Sequence, residues 1–409
     1  MKILFLSAYC PLPKGNNAAV VDVFREIEEL SKHHQIYLIS FASKEEIAGS
    51  SFLQDICEEV SLIPLVATPG KVSYKIYNVL SLFSRLPAIA LASHSRRFVQ
   101  AIREWMSLYN FDLVQIEFSQ MAHYIEYING IPAVMDGMDI AFIRRSRFTN
   151  NLKAGLIKAI LTIDCKKLKE YEINYMKKYN AVLVRSKADQ QLLADYIPQQ
   201  PIEILPPWID LGKNKVKTAS HDKNLIFYGA MWRNVNFEAA KYFINEVLPI
   251  IHITEPTVKL FVVGSDPPKE LKKMSNSQVV VKGFVDEVGE YYEKSAVAVA
   301  PLFAGSGIKG KIIQALSYGR PVVTTAVGAE GIPASEDEGL FIREDAESMA
   351  QTILWLLEDY RYKKYFELAR NFVAHHYNWP EAMRRVEKLY KELVDNANMR
   401  PLRKSLDKY

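Results

Sequence analysis

The chain has 409 residues, with 51 lysines and arginines against 47 aspartates and glutamates and a formal net charge of +4. That length exceeds a single hydrophobic core and fits two domains of about 200 residues each. The mild charge, with no basic tail and no zinc-ligand spacing, argues against a nucleic-acid-binding protein. Three widely spaced cysteines, Cys10, Cys57 and Cys165, form neither a disulfide framework nor a metal cluster and suit a reducing compartment.

In chain order, the opening apolar run Lys2–Ser7 is only strand-length and is followed by Pro11, Pro13 and Lys14, so it reads as a first strand and not as a leader. A helix follows from Ala18 to His33, then a strand Gln35–Ser40, a long helical region Lys71–Tyr109, and strands Leu113–Glu117 and Ala133–Met135. Helix Ala154–Lys178, strand Ala181–Arg185 and helix Lys187–Tyr196 continue the alternation. The apolar stretch nearest to a membrane span, Val79–Ala92, is broken by Arg85 and Pro87, so no spanning helix is expected. Alternating strands and helices with near-continuous apolar strands predict a parallel sheet covered on both faces.

The pattern restarts after Pro206-Pro207-Trp208-Ile209-Asp210 and a polar stretch to Lys223. Strand Asn224–Tyr228, helix Asn236–Ile251 and strands Val258–Val263, Val279–Lys282 and Val297–Ala300 lead into the most informative segment, Pro301 to Val323. It reads as strand end, a loop carrying Gly305 and Gly307, a helix from Lys309 to Tyr318 closed by Gly319, and another strand. Glycines admit close approach of a ligand, and the free N–H groups and dipole at the helix start attract an anion. Lys309 and Lys311 add two charges there. The competing reading is an ordinary βαβ connection with solvated lysines. The expectation is two doubly wound domains of α/β class, residues 1–207 and 223–377 joined by a linker over 208–222, with ligands at strand C-terminal ends. A final amphipathic helix, 378–396, is expected to return to the first domain.

A set of short segments then carries a resemblance. They are Tyr9-Cys10-Pro11-Leu12-Pro13-Lys14-Gly15-Asn16-Asn17, Ile204-Leu205-Pro206-Pro207-Trp208-Ile209-Asp210, Phe227-Tyr228-Gly229-Ala230-Met231, Phe261-Val262-Val263-Gly264, Lys282-Gly283-Phe284-Val285-Asp286, the glycine-loop helix, and Gly319-Arg320-Pro321-Val322-Val323-Thr324-Thr325. In their order and spacing the chain resembles the retaining nucleotide-sugar glycosyltransferases of family 4, over nearly its whole length. The resemblance implies the GT-B architecture, two Rossmann-like domains around a cleft, and transfer from a UDP- or GDP-sugar to a glycan or lipid-linked acceptor in surface or extracellular polysaccharide synthesis. It implies no cofactor beyond the nucleotide sugar. Nothing resembles the Asp-x-Asp metal motif of the other glycosyltransferase fold, so metal independence is expected.

Carried over by position, the resemblance places the donor diphosphate and sugar on Gly305, Ser306, Gly307, Ile308, Lys309 and Lys311. Ser306 and Gln314 stand where many relatives have two glutamates; Gln314 retains hydrogen-bonding capacity toward a ribose without a carboxylate's charge. Gly283, Phe284 and Val285 match the segment that reads the base. Gly229 opens the second domain, Ala230 replaces the usual arginine, and Arg233 is the candidate to supply the missing charge. Gly15 and Asn16 face the diphosphate from the first domain in this reading. Asp136 and Asp139, where relatives often carry a histidine, are candidate hydrogen-bond acceptors for sugar or acceptor, with capping of the following turn as the alternative. Glu117, at a strand end, is expected to point toward the cleft. Catalysis would rest on cations around the leaving diphosphate, Lys309, Lys311 and Arg233.

Charge is uneven: Val60–Asn110 holds six basic residues against one acidic, and Ala141–Lys187 twelve against three. With Tyr77, Val79, Leu82, Phe83, Leu156, Ile157, Ile160 and Leu161 interleaved, this suits peripheral docking on the inner face of the cytoplasmic membrane, or amphipathic helices with solvated basic faces, or an anionic soluble acceptor. Within enzymes the alternative is another GT-B activity, such as a nucleotide-sugar epimerase; outside them it is a sugar-nucleotide-binding subunit without turnover. A dinucleotide dehydrogenase is disfavoured, because no Gly-x-Gly-x-x-Gly follows the first strand.

Overall fold

The computed structural model describes residues 1–14, 18–65, 72–150, 152–209, 222–305 and 307–406. The chain forms two compact units, one of Met1–Pro206 with Trp379–Tyr409, the other of Pro207–Asn378.

The first unit is built on seven strands: β1 (Lys2–Ser7), β2 (Gln35–Ala42), β3 (Glu59–Pro64), β4 (Leu113–Glu117), β5 (Ala133–Asp136), β6 (Ala181–Val184) and β7 (Ile202–Ile204). They pair in the order β3-β2-β1-β4-β5-β6-β7, every pair parallel. Ile3, Leu4, Phe5 and Leu6 of β1 are fully buried, as a central strand covered on both faces requires. The second unit repeats the plan with β8 (Asn224–Tyr228), β9 (Leu260–Val263), β10 (Val279–Lys282), β11 (Ser295–Ala300), β12 (Val322–Thr324) and β13 (Leu340–Ile342), ordered β10-β9-β8-β11-β12-β13. Each sheet therefore reverses its strand order once, between β1 and β4 and between β8 and β11. Loops leave neighbouring strand ends in opposite directions at such a point and open a crevice there.

Several sequence expectations are corrected. The single helical region Lys71–Tyr109 is four pieces, Val72–Leu80, Ser81–Phe83, Ala88–Ala92 and Arg96–Leu108. Pro87 lacks an N–H and stops continuation, and the Ser95 hydroxyl accepts the Phe98 N–H to start the last piece afresh. A helix Ala141–Asn150 precedes Leu156–Met176. Its first N–H groups, Ala141 and Phe142, donate to the buried Glu172 carboxylate at 3.1 and 2.7 Å, so a side chain 30 positions away caps it. The final helix runs Trp379–Leu406 and packs in the first unit, burying Ala382, Met383, Val386 and Tyr390.

Candidate functional site

In the second unit the strand-order reversal places the loops after β8 and β11 side by side, and hydrogen bonds extend the sheet beyond its strand ends. Gly229 N–H donates to Val263 O at 3.0 Å, Met231 N–H to Ser265 O at 2.9 Å, and Gly264 N–H to Gly283 O at 3.2 Å. The approach at Gly264 is so close that a Cβ there would lie 1.7 Å from Gly229 O, and only glycine fits. Beyond β11, the chain is held by β12: Thr324 Oγ1 donates to Ala300 O at 2.6 Å, and Thr325 Oγ1 donates to Leu302 O. Both threonines are fully buried. The glycine loop therefore starts from a fixed point, turns through Gly305 (φ 118°) and Gly307 (φ 71°), and enters helix Gly310–Ser317.

Lys309 precedes the first turn of that helix and Lys311 lies within it. The Lys309 ammonium donates to Gly307 O at 2.5 Å and stands 3.7 Å from Glu330. Lys311 donates to Asn236 Oδ1 and lies over the Phe227 ring, 5.5 Å from its centroid. Its Nζ is 3.0 Å from where a Gly229 Cβ would stand, directly beneath the β8 loop. Burial of the ammonium pulls the Lys311 pKa down to about 7, and the positive charges of Arg233 and Lys309 add to the depression. Three basic side chains, Lys309, Lys311 and Arg233, thus act on one another where the loops of β8 and β11 meet. Arg233 itself is exposed and precedes helix Asn234–Tyr242.

The remaining second-unit positions lie on the loop after β10, on the glycine loop and on helix Gly310–Ser317. Gly283 directly follows β10 and is tied to Gly264; Phe284 beside it is 70% exposed, open to stacking, while Val285 and Ile308 pack against the core. Gln314 lies half-buried one turn into the helix. Ser306, Gly15 and Asn16 lie outside the described residues.

In the first unit the expectations need correction. Asp136, expected to contact substrate, is fully buried at the end of β5; its Oδ2 accepts from Arg185 at 2.6 Å and its Oδ1 from Met138 N–H at 2.9 Å. It is sealed from any molecule in solution. Glu117 is also fully buried and points inward, accepting from Gln115 Nε2, which donates to Glu26 Oε1 at 2.7 Å as well. Tyr390 of the final helix donates to Gln115 Oε1. Burial, then the charge of Asp136, pushes Glu26 up to about 8; the same two causes, with Glu26 added, raise Glu117 well above the carboxylate range. Burial opposes the charge on Arg185, but Asp136, Asp22, Glu26 and Glu117 outweigh it. The arrangement is an Asp136–Arg185 ion pair beside two carboxyl groups, Glu26 and Glu117, whose hold on their protons burial and the Asp136 charge strengthen. Carboxylate oxygens of Glu26, Glu117 and Asp136 lie within 4.8 Å of one another, but the Arg185 guanidinium already supplies the cation. Asp139 is different: partly exposed, its Oδ2 lies 2.5 Å from Arg144. Burial raises its pKa and Arg144 works against that rise.

Residues that sequence reading missed are the supports: Asn236 under Lys311, Thr324 and Thr325 under the glycine loop, and the Glu26–Gln115–Arg185–Tyr390 group. For Asn236 a signal existed, a lone amide beside Phe237 and Ala240 on the inward face of its helix.

Residues 222–359 match the family model described as glycosyl transferases group 1. A Klebsiella pneumoniae relative, an uncharacterized 44.6 kDa protein in the cps region, is 24% identical over 86% of this chain and 90% of its own length. Among solved structures, sucrose-phosphate synthase from Thermosynechococcus elongatus superposes with a TM-score of 0.67 at 15% identity, over 97% of this chain and 100% of that one. Anabaena HepE in complex with UDP gives 0.66 at 15% identity, over 96% and 100%. The family match thus lies within the second unit, and the solved structures share the fold of two parallel-sheet α/β units, the GT-B architecture.

Proposed function

We propose that the chain moves a sugar from a nucleoside-diphosphate sugar to a glycan or lipid-linked acceptor, with retention at the anomeric carbon, in the synthesis of a surface or extracellular polysaccharide. The observation that carries this reading is the placement of Lys311 against Gly229 and of Lys309 on Gly307 O, with Arg233 near enough to act on the Lys311 charge. As the bond between the sugar and the diphosphate breaks, negative charge grows on the leaving oxygens, and cations held in place beforehand stabilise it without reorganisation. Exposed Phe284 offers a face for the base, and Gln314 an amide for the ribose. In the first unit Asp139 takes the acceptor-side role, held in orientation by Arg144, while Asp136 acts only through Arg185. The UDP bound by the Anabaena neighbour and the cps-region setting of the Klebsiella relative support the donor class and the product class. With three side-chain cations for the diphosphate, transfer needs no divalent metal in this reading, and EDTA is expected to leave the rate unchanged.

The test is thermal stabilisation against a panel of nucleoside diphosphates and their sugars, then donor hydrolysis with the best binder. A shift with UDP or GDP, and hydrolysis abolished by Lys309→Ala with Lys311→Ala, supports the reading. No shift with any nucleotide overturns the site, and binding without turnover on any acceptor leaves a binding subunit.

A further inference from the structure

A groove of about 820 Å³ opens on the first unit, lined by His94, by helix Arg96–Leu108 and by Tyr127 at the end of the segment Ser119–Tyr127 that follows β4. None of its residues takes part in the proposed transfer chemistry. From the helix come Arg96, Gln100 and Arg103, four and three positions apart and so on one face, with Glu104 beside them and the buried Val99 adding an apolar contact. The groove is held from beneath. The Tyr124 hydroxyl accepts from Ser95 N–H at 3.0 Å and donates to Ser93 O at 2.8 Å, which fixes the backbone on both sides of His94. His94 Nδ1 stands 3.4 Å from His123 Nε2, and His123 Nδ1 stands 2.9 Å from the Tyr171 hydroxyl. His123, Tyr124 and Tyr171 are all buried, so these contacts anchor His94 through one ring nitrogen and leave Nε2 for a partner. The Arg103 guanidinium lies over the Tyr127 ring, 5.4 Å from its centroid. Arg96, Arg103 and Glu104 are exposed, and no ion pair among the described residues involves them.

The mixture of side chains selects the ligand. Two guanidinium groups and an imidazole in one groove favour a carboxylate or a phosphate, which arginine binds through paired N–H donors. A bare anion would gain nothing from Glu104, whose charge repels it. Hydroxyl groups do gain, because a carboxylate accepts from them and the Gln100 amide both donates and accepts. Val99 and the Tyr127 ring offer apolar surface to the C–H face of a pyranose. The volume lies within the range of small-molecule sites, about 300–1,000 Å³. We infer that this groove binds a sugar residue that carries an acidic group, with Arg96, Arg103 and His94 on the acid and Gln100 and Glu104 on the hydroxyls.

The test is calorimetric titration of the full chain, without nucleotide, against glucuronate, glucose 6-phosphate, glucose and inorganic phosphate. At least one acidic sugar is expected to bind about tenfold or more tighter than glucose and than inorganic phosphate, and to weaken as salt is raised. The arm that binds tells a carboxylate ligand from a phosphate one. Arg96→Gln with Arg103→Gln is expected to weaken binding about tenfold or more, and Glu104→Gln to narrow the preference for sugar over bare anion about threefold or more. These three side chains are at the surface, and an unchanged melting temperature shows that the variants fold. Equal binding of glucose overturns the acidic group, equal binding of inorganic phosphate overturns the sugar, and binding that the arginine variant retains overturns the placement. No binding of either acidic sugar overturns the inference whether or not the chain binds UDP, so the transfer reading is judged separately.

Discussion

Lys311 is a lysine whose charge folding opposes, since burial and two neighbouring cations bring its pKa to about 7. A diphosphate placed on the loops at Gly229 and Gly305 reverses that balance, because its negative charge raises the lysine pKa. Above pH 7 the free site is largely unprotonated and the occupied site protonated, so binding takes up a proton. Affinity for the nucleoside diphosphate is therefore expected to fall as pH rises beyond about 7, by up to about tenfold per pH unit. Calorimetric titration of UDP in buffers of different ionisation enthalpy reads this proton directly. Lys311→Met should abolish the uptake, and an uptake of zero in the unsubstituted chain would remove Lys311 from the diphosphate site. Gly264 yields a second expectation at this scale. A methyl group 1.7 Å from Gly229 O cannot be accommodated without separating two backbone segments. Gly264→Ala is expected to destabilise by about 3 kcal/mol and to weaken nucleotide binding, because the segment displaced is the one above Lys311. Urea unfolding with a UDP titration checks both.

The element that ties the first unit together is the final helix, through one hydroxyl. Tyr390 reaches Gln115, which in turn holds Glu26 and Glu117, in a group with no exposed surface. Glu26 keeps its proton to about pH 8 in the folded chain, whereas an unfolded glutamate releases it near pH 4.5. Between those values the folded state binds the extra proton, so the stability that this group supports is full below about pH 4.5 and lost as pH rises toward 8. Glu26→Gln keeps a neutral side chain at every pH. Relative to this variant, the unsubstituted chain should lose stability from pH 5 to 8, and denaturant midpoints across that range measure the difference. Equal slopes would show that Glu26 ionises in the folded chain as it does in water. None of this group was legible in the sequence: Glu26 and Gln115 are 89 positions apart and Gln115 and Tyr390 275, and a buried carboxylate has the same letter as a solvated one. What could be read was contiguous. The apolar strands gave the doubly wound class, and the glycine loop announced itself within one segment. The helix Ala141–Asn150 escaped because its arginines hide an apolar stripe and its cap, Glu172, is supplied from a distance. The edge strands β3, β7 and β13 escaped because they are short or only partly buried.

At the scale of the whole molecule, the chain leaves the first unit after Pro206 and returns to it at Trp379, so the second unit is continuous and the first is not. The consequence is unequal dependence on the C-terminal segment. Ala382, Met383, Val386 and Tyr390 are nearly fully buried in the first unit. Burying side chains of the larger kinds contributes about 1.5–3 kcal/mol each, and their loss together approaches the 5–15 kcal/mol that stabilises a typical domain. Removal of the helix would also leave Gln115 without its tyrosine donor. The second unit closes its own core, from Leu225 to Tyr377, without any residue of that helix. A chain ending at Asn378 is therefore expected to keep a folded, nucleotide-binding second unit beside a first unit that has lost cooperative structure. Limited proteolysis should leave a resistant fragment beginning near Pro207, and its melting temperature should still rise with UDP. Should both units be digested together, the second unit's fold depends on the first, and the continuity of its chain would not be enough to make it independent.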